Sequence, residues 1–243
     1  IRTSLPVLSC ALFLIKKEIV EIKTTDLEQT IISTNKIKAD GEAEIALPMA
    51  KLLEIVSALQ DEEITISINN EHLIEINSHQ GVYKISGRSS EDFPTTPEIK
   101  STQNITLKNK DLMKVIDKTG YAASKDDLKP ALCGVYLNFK GNKITAVATD
   151  GHKLAKTILE NEGKTEKEKS LVVPLKFLNI IKDQTAGKKG EVSIEITENH
   201  IQTKQKNITT LSRIINEQFP DFNSVIPEDN KIEAIINTKE MIK

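Results

Sequence analysis

The chain has no tryptophan and few aromatic residues, 4% in all, so its core must be built from Ile, Leu and Val. It has two cysteines, Cys10 and Cys133, too few for a disulfide framework and at no metal-ligand spacing, which points to a reducing, intracellular setting. No apolar run approaches the roughly 20 residues a membrane helix needs. A nucleophile motif, a phosphate-binding glycine loop and a metal cluster are all missing, so neither a metal nor a cofactor is expected. A net charge of −2 excludes the bulk basicity of a simple nucleic-acid binder. Ile1 is not an initiator methionine and opens no signal peptide, so the chain is expected to be part of a longer one. What is present, 243 residues at 38% hydrophobic and 28% charged, suffices for two modest globular domains.

Hydrophobic periodicity predicts strands at Leu8 to Ile15 and Glu18 to Lys23, then a helix after Pro48 carrying Leu52, Leu53, Ile55, Val56 and Leu59. Alternation of Ile64, Ile66 and Ile68 with Thr65, Ser67 and Asn69 predicts a half-buried strand. Strands at Leu73 to Ile76 and Val82 to Ser86 follow, and the Pro-rich acidic stretch Glu91 to Lys100 reads as a linker. The second half repeats this order at nearly constant spacing. Pro6 matches Pro130, Thr25-Asp26 matches Thr149-Asp150, and Pro48 matches Pro174 ahead of Leu178, Ile180 and Ile181. Ile64, Ile66 and Ile68 match Val192, Ile194 and Ile196, and Phe93-Pro94 matches Phe219-Pro220.

Copy two opens with a further strand and helix, Ile105 to Ser124, with Leu107, Leu112, Val115, Ile116 and Thr119 on one face. The counterpart in copy one is expected upstream of Ile1. Ile235 to Lys243 resembles Ile105 to Lys114 and reads as the start of a third copy. The expected organisation is therefore residues 1–100, 101–230 and 231–243. Each copy is an α+β unit, an antiparallel sheet with helices on one face.

Local charge is less even than the total. Lys108, Lys110, Lys114, Lys118 and Lys125 face Asp111 and Asp117 within one helical stretch, and Lys176 and Lys182 lie on the other helix of copy two. A solvated lysine face is one reading; a concave basic surface suited to a phosphate backbone, without base reading, is the other. Thr-Asp recurs in both copies and predicts a side-chain-capped turn after a strand. Gly151-His152-Lys153 stands where copy one has Leu27-Glu28-Gln29, so its role belongs to copy two. Asp150 and His152 could form an acid–base pair, but nothing around them supplies a nucleophile.

With the repeat in place, the chain resembles the bacterial β sliding clamp family, the processivity subunit of DNA polymerase III. The resemblance rests on Leu5-Pro6-Val7-Leu8, on Val147 to Ala155, on Phe219-Pro220-Asp221 and on Val225-Ile226-Pro227. It implies a non-enzymatic protein of the bacterial cytoplasm, with three such domains per subunit. Two subunits would form a head-to-tail homodimer ring around double-stranded DNA, helices lining the hole and sheets outside. It also implies a pocket at Leu132, Thr149, Gly151, His152, Lys153, Leu154, Pro220 and Val225. That pocket would receive a short peptide with Gln, Leu and Phe from polymerase and clamp-loader subunits. Lys153 stands where the family usually has Arg, keeping charge but losing the planar fork. Arg2 and the loop ending at Lys129 are the DNA-facing positions carried over from the family, and Lys108, Lys110, Lys114, Lys118, Lys176 and Lys182 follow from charge. Tyr83 aligns with Thr209; an aromatic exposed in only one copy, with Lys51 nearby, is expected at the dimer interface. The alternative is a repeat scaffold of the same fold that binds peptides without encircling DNA.

Overall fold

The structure is a computed structural model that describes residues 5–59, 63–69, 71–99 and 103–242. Copy one contains β1 (Cys10–Lys16), β2 (Ile19–Thr25), β3 (Gln29–Lys36), β4 (Ala43–Pro48), α1 (Met49–Ala58), β5 (Thr65–Ile68), β6 (Leu73–Ser78) and β7 (Gly81–Ser86). Copy two contains β8 (Gln103–Lys108), α2 (Asn109–Thr119), β9 (Gly134–Thr149), β10 (Leu154–Pro174), α3 (Leu175–Thr185), β11 (Glu191–Ile196), β12 (His200–Gln205) and β13 (Ile208–Arg213). A short helix, α4 (Thr238–Met241), closes the described chain. No described helix is long and apolar enough to cross a membrane.

The repeat is visible in strand register. Cys10 pairs with Pro48 and Thr25 with Thr30; in copy two Gly134 pairs with Pro174 and Thr149 with Leu154. β9 therefore covers the lengths of β1 and β2, and β10 those of β3 and β4. Two strands missing from the sequence-based reading, β3 and β4, are what complete this unit. A 3-10 turn begins at Pro6 in one copy and at Pro130 in the other, where proline's fixed φ suits a tight turn.

The copies join edge to edge. One eight-stranded antiparallel sheet runs β4-β1-β2-β3-β13-β12-β11-β8, with β3 of copy one paired to β13 of copy two. The junction extends past the ladder, since Arg213 N–H donates to Glu28 O at 3.0 Å and Asn207 Nδ2 to Asn35 Oδ1 at 2.9 Å.

Helix α2 forms because Leu112, Val115, Ile116 and Thr119 fall at helical spacing on one buried face. Thr119 Oγ1 donates back to Val115 O at 2.8 Å, which lets a polar residue end that face without an unmet donor. α2 packs beside α3, whose Phe177, Leu178 and Ile181 complete a core shared with Phe139, Ile194 and Ile201. Each such side chain contributes about 1.5–3 kcal/mol on burial. Copy one has a smaller core around Ile45, Leu47, Leu52, Ile74 and Ile76. No described counterpart of β8 or α2 covers it. Ile66 is consequently 38% exposed, against 2% for its repeat partner Ile194.

Candidate functional site

The Thr-Asp turn is built identically in the two copies. Thr25 Oγ1 donates to Gln29 O at 2.8 Å, and Thr149 Oγ1 to Lys153 O at 2.7 Å. Asp26 Oδ1 accepts the amides of Glu28 and Gln29, as Asp150 Oδ1 accepts those of His152 and Lys153. The residue after the aspartate is left-handed in both, φ 78° at Leu27 and 92° at Gly151. A Cβ at Gly151 would meet no atom within 4 Å, so the glycine answers to φ rather than to crowding.

Asp150 is held by two backbone amides and by the Lys153 ammonium, not by the His152 imidazole. The Lys153 hydrogen bond, followed by those amides, pulls its carboxyl far below the ordinary carboxylate range. Asp26 instead takes its ion pair from Lys176, on α3 of the other copy. Burial opposes the Asp26 charge, but the bonds from Lys176 and from Gln29 outweigh it, so this carboxyl too lies below its ordinary value. The copy-one turn is thus tied to the other copy by an ion pair, while Asp26, Leu27 and Glu28 stay exposed.

Directly after the copy-two turn lies an apolar groove of about 710 Å³ lined by Leu154, Lys156, Thr157, Ile158, Val225, Ile226 and Pro227. Through Leu154 the groove adjoins a cluster in which Val147, Val172 and Phe219 are buried and Tyr136, Leu154, Ile215 and Phe222 half-buried. Tyr136 stacks on Phe219 at 5.3 Å between centroids and lies 5.7 Å from Phe222. The segment after β13 is fixed there by the bridge of Ile215 to Val172, where Ile215 N–H donates to Val172 O at 2.9 Å. Asp221 caps the following turn by accepting the Asn223 amide at 3.1 Å. Copy one lays Phe93 over Leu12 and Ala46 in the same way, but with Val7 and Cys10 and with no aromatic partner.

Of the expected pocket residues, Leu154 and Val225 line this groove, and Val225 is 67% exposed. Thr149 is buried in the turn, with Gly151, His152 and Lys153 exposed upon it. Leu132, half-buried in its 3-10 turn, and exposed Pro220 are outside the groove lining. Tyr136, Lys156, Ile158 and Phe222 were not foreseen. Val147 to Ala155, Phe219-Pro220-Asp221 and Val225-Ile226-Pro227 were the nearby signals, and Lys156 and Ile158 alternate with core residues on a strand that reads as ordinary.

The lysines divide. Lys110, Lys114 and Lys118 are exposed at four-residue spacing along α2. Lys108 is half-buried at the helix start. Lys176 is paired with Asp26, and Lys182 with Asp117 of α2 at 2.5 Å, so these two are engaged within the chain. Lys129 is exposed on a loop folded by its own bonds, with the Cys133 thiol donating to Asp126 O at 3.1 Å. Arg2 lies outside the described residues.

Lys51 is exposed, but Tyr83 is not: it shares the inward face of β7 with Ile85 and packs against the copy-one core. Alternation along the strand explains this, since Val82 and Lys84 take the outer face. Beside β7, α1 presents Leu53, 55% exposed, and Val56, where copy two has Asn179 and Lys182. No group of three or more His, Cys, Asp or Glu that could hold a metal occurs among the described residues.

Family models match both copies. The N-terminal domain of the DNA polymerase III beta subunit matches residues 1–97, and its central domain residues 106–221. The chain is 28% identical to the beta sliding clamp of Pseudomonas aeruginosa over 93% of this chain and 62% of that protein. It is 28% identical to the beta sliding clamp of Bacillus subtilis over 100% of this chain and 66% of that one. The crystal structure of the DNA polymerase sliding clamp from Bacillus subtilis superposes with a TM-score of 0.93 at 27% identity, covering 99% of this chain and 66% of that one. The chain thus spans less than two thirds of the Pseudomonas relative's length.

Proposed function

Since the chain belongs to the DNA polymerase III beta subunit family, we propose that it is the greater part of a sliding clamp subunit. In this reading residues 1–100 and 101–230 are two clamp domains and residues 231–243 begin a third. The subunit closes head-to-tail with a second copy into a ring around double-stranded DNA, without sequence preference. It carries no chemistry of its own and holds polymerase and clamp-loader subunits through a short Gln/Leu/Phe peptide.

The observation that carries this reading is the continuous sheet. β3 is joined to β13 edge to edge, and the matching segment of β10, from Leu154, pairs with β9 and with no further strand among the described residues. A third domain added by the same pairing would continue the sheet and keep the helices on one side. Lys110, Lys114 and Lys118 then supply phosphate contacts, with Lys108, Lys129 and Arg2 around them. Lys176 and Lys182 serve that surface only when their carboxylate partners release them. The apolar pair Leu53 and Val56, with Val82, Lys51 and the edge strand carrying Tyr83, forms the subunit contact.

A subunit containing this chain and a complete third domain tests the proposal. Retained on nicked circular DNA and lost from linear DNA, it is a ring. Equal loss from both would leave the non-encircling peptide scaffold as the better reading. Neutralising Lys110, Lys114 and Lys118 together should weaken retention in a salt-dependent way.

A further inference from the structure

Several lysines of copy two meet a carboxylate. Lys153 pairs with Asp150, Lys140 with Glu168, Lys182 with Asp117 and Lys204 with Glu195. Lys156, the only charged residue in the groove lining, has no carboxylate partner among the described residues. Its ammonium sits 5.1 Å from the centroid of the Phe222 ring and donates to Asn223 Oδ1 at 3.3 Å. An ammonium has three donors, so this arrangement fixes the charge in place and leaves donors open. The position aligned with Lys156 in copy one is Ile32, which lies in the junction strand, so the cation belongs to the groove and not to the repeat.

We propose that Lys156 recognises a carboxylate, supplied by an Asp or Glu side chain next to the apolar anchors of the peptide that fills the groove. The inference rests on the groove being a peptide site. Leu154, Ile158, Val225 and Pro227 offer apolar surface, and a single cation held at its rim selects among apolar peptides by charge. Lys153 does not substitute for it, because Asp150 already neutralises that ammonium.

The test uses the full chain and two fluorescent peptides. Both carry Gln, Leu and Phe and are amidated at the C-terminus; they differ by one Asp or Asn between the anchors. The wild-type chain should bind the Asp peptide about threefold more tightly at low ionic strength, and the difference should shrink with added salt. Lys156→Met should erase the preference, and Lys156→Arg should keep it. Equal affinity of the wild type for both peptides overturns the carboxylate assignment and leaves the groove reading standing. A Lys156→Met chain that weakens both peptides alike makes Lys156 a clasp for Phe222 and Asn223, and also overturns it. If neither peptide binds, the groove reading fails and this inference fails with it.

Discussion

Two turns with the same hydrogen bonds end up facing different things. In copy one, Thr25 to Gln29 is bonded to Arg213 at the end of β13 and to Lys176 of the neighbouring copy. In copy two, Thr149 to Lys153 carries its own counter-ion and leads into Leu154 of the groove. The backbone scaffold is reused and the side chains around it decide its role. Lys23, Thr30 and Ile32 of copy one become Val147, Leu154 and Lys156, turning a junction strand into the lining of an apolar groove and its adjoining cluster. A Thr-Asp turn is therefore no signature of binding; the apolar replacements beside it are.

The comparison of the two cores should yield the largest effect. Ile194 and Ile66 occupy equivalent strand positions, yet β11 is covered by β8 and α2 while β5 lacks both among the described residues. Ile194→Ala should cost about 3 kcal/mol by loss of buried surface and a residual cavity. Ile66→Ala should cost less than about 1 kcal/mol. Urea midpoints of the two variants measure this directly. Equal costs would mean that the copy-one strand is as well packed as its partner.

The groove comes next. Val225→Asp changes an exposed groove residue, so the fold should survive while binding of a Gln/Leu/Phe peptide falls at least about tenfold, roughly 1.4 kcal/mol. Exchanging the turn, by Gly151→Leu, His152→Glu and Lys153→Gln together, keeps the scaffold that copy one already uses. It should likewise weaken the peptide, read by fluorescence polarisation, with circular dichroism unchanged. A peptide whose NMR footprint falls on residues 22–30 would move the site to the other copy.

A smaller effect concerns φ alone. Leu27 holds a left-handed conformation that costs an L-residue about 1 kcal/mol, whereas Gly151 holds nearly the same one freely. Leu27→Gly should therefore raise stability by up to about 1 kcal/mol and Gly151→Leu lower it by a similar amount. Thermal melts in which both substitutions destabilise would mean that Leu27 is packed for a reason of its own.

Much of this architecture was legible because the repeat is marked by residues with strong local rules. Proline sets the turn at Pro6 and Pro130, and Thr-Asp caps the loop after a strand. The buried face of α2 could be listed from spacing alone, since a 3.6-residue period leaves little choice. β3 escaped because Gln29–Lys36 is largely polar; its pairing with β13 stabilises it, and that partner lies far along the chain. The exposure of Tyr83 was misjudged because alternation gives two faces without saying which is buried. The ion pair of Lys176 escaped notice because its partner, Asp26, stands 150 residues away. Long-range electrostatics leave no mark in local sequence.

That long-range pair supplies the finest test of the comparison. Asp26 and Asp150 both lie below their ordinary carboxylate range, but for different reasons. Asp26 depends on a lysine from the other copy, against the opposing effect of its own burial, and Asp150 on a lysine three residues away. Lys176→Met should raise the Asp26 titration midpoint and leave Asp150 where it is; Lys153→Met should do the reverse. Carboxyl-detected NMR titration reads both groups in one experiment. A carboxyl held low in the folded state stabilises it above the unfolded pKa, and that contribution is lost as pH falls through the folded value. The wild-type chain should therefore lose some stability below about pH 4, and Lys176→Met should lose less of it over that range. Since both pairs are partly exposed, the shifts should shrink in high salt. An Asp26 midpoint indifferent to Lys176→Met would mean that the backbone amides of the turn alone hold it down, and that the junction contributes nothing to the charge of the copy-one turn.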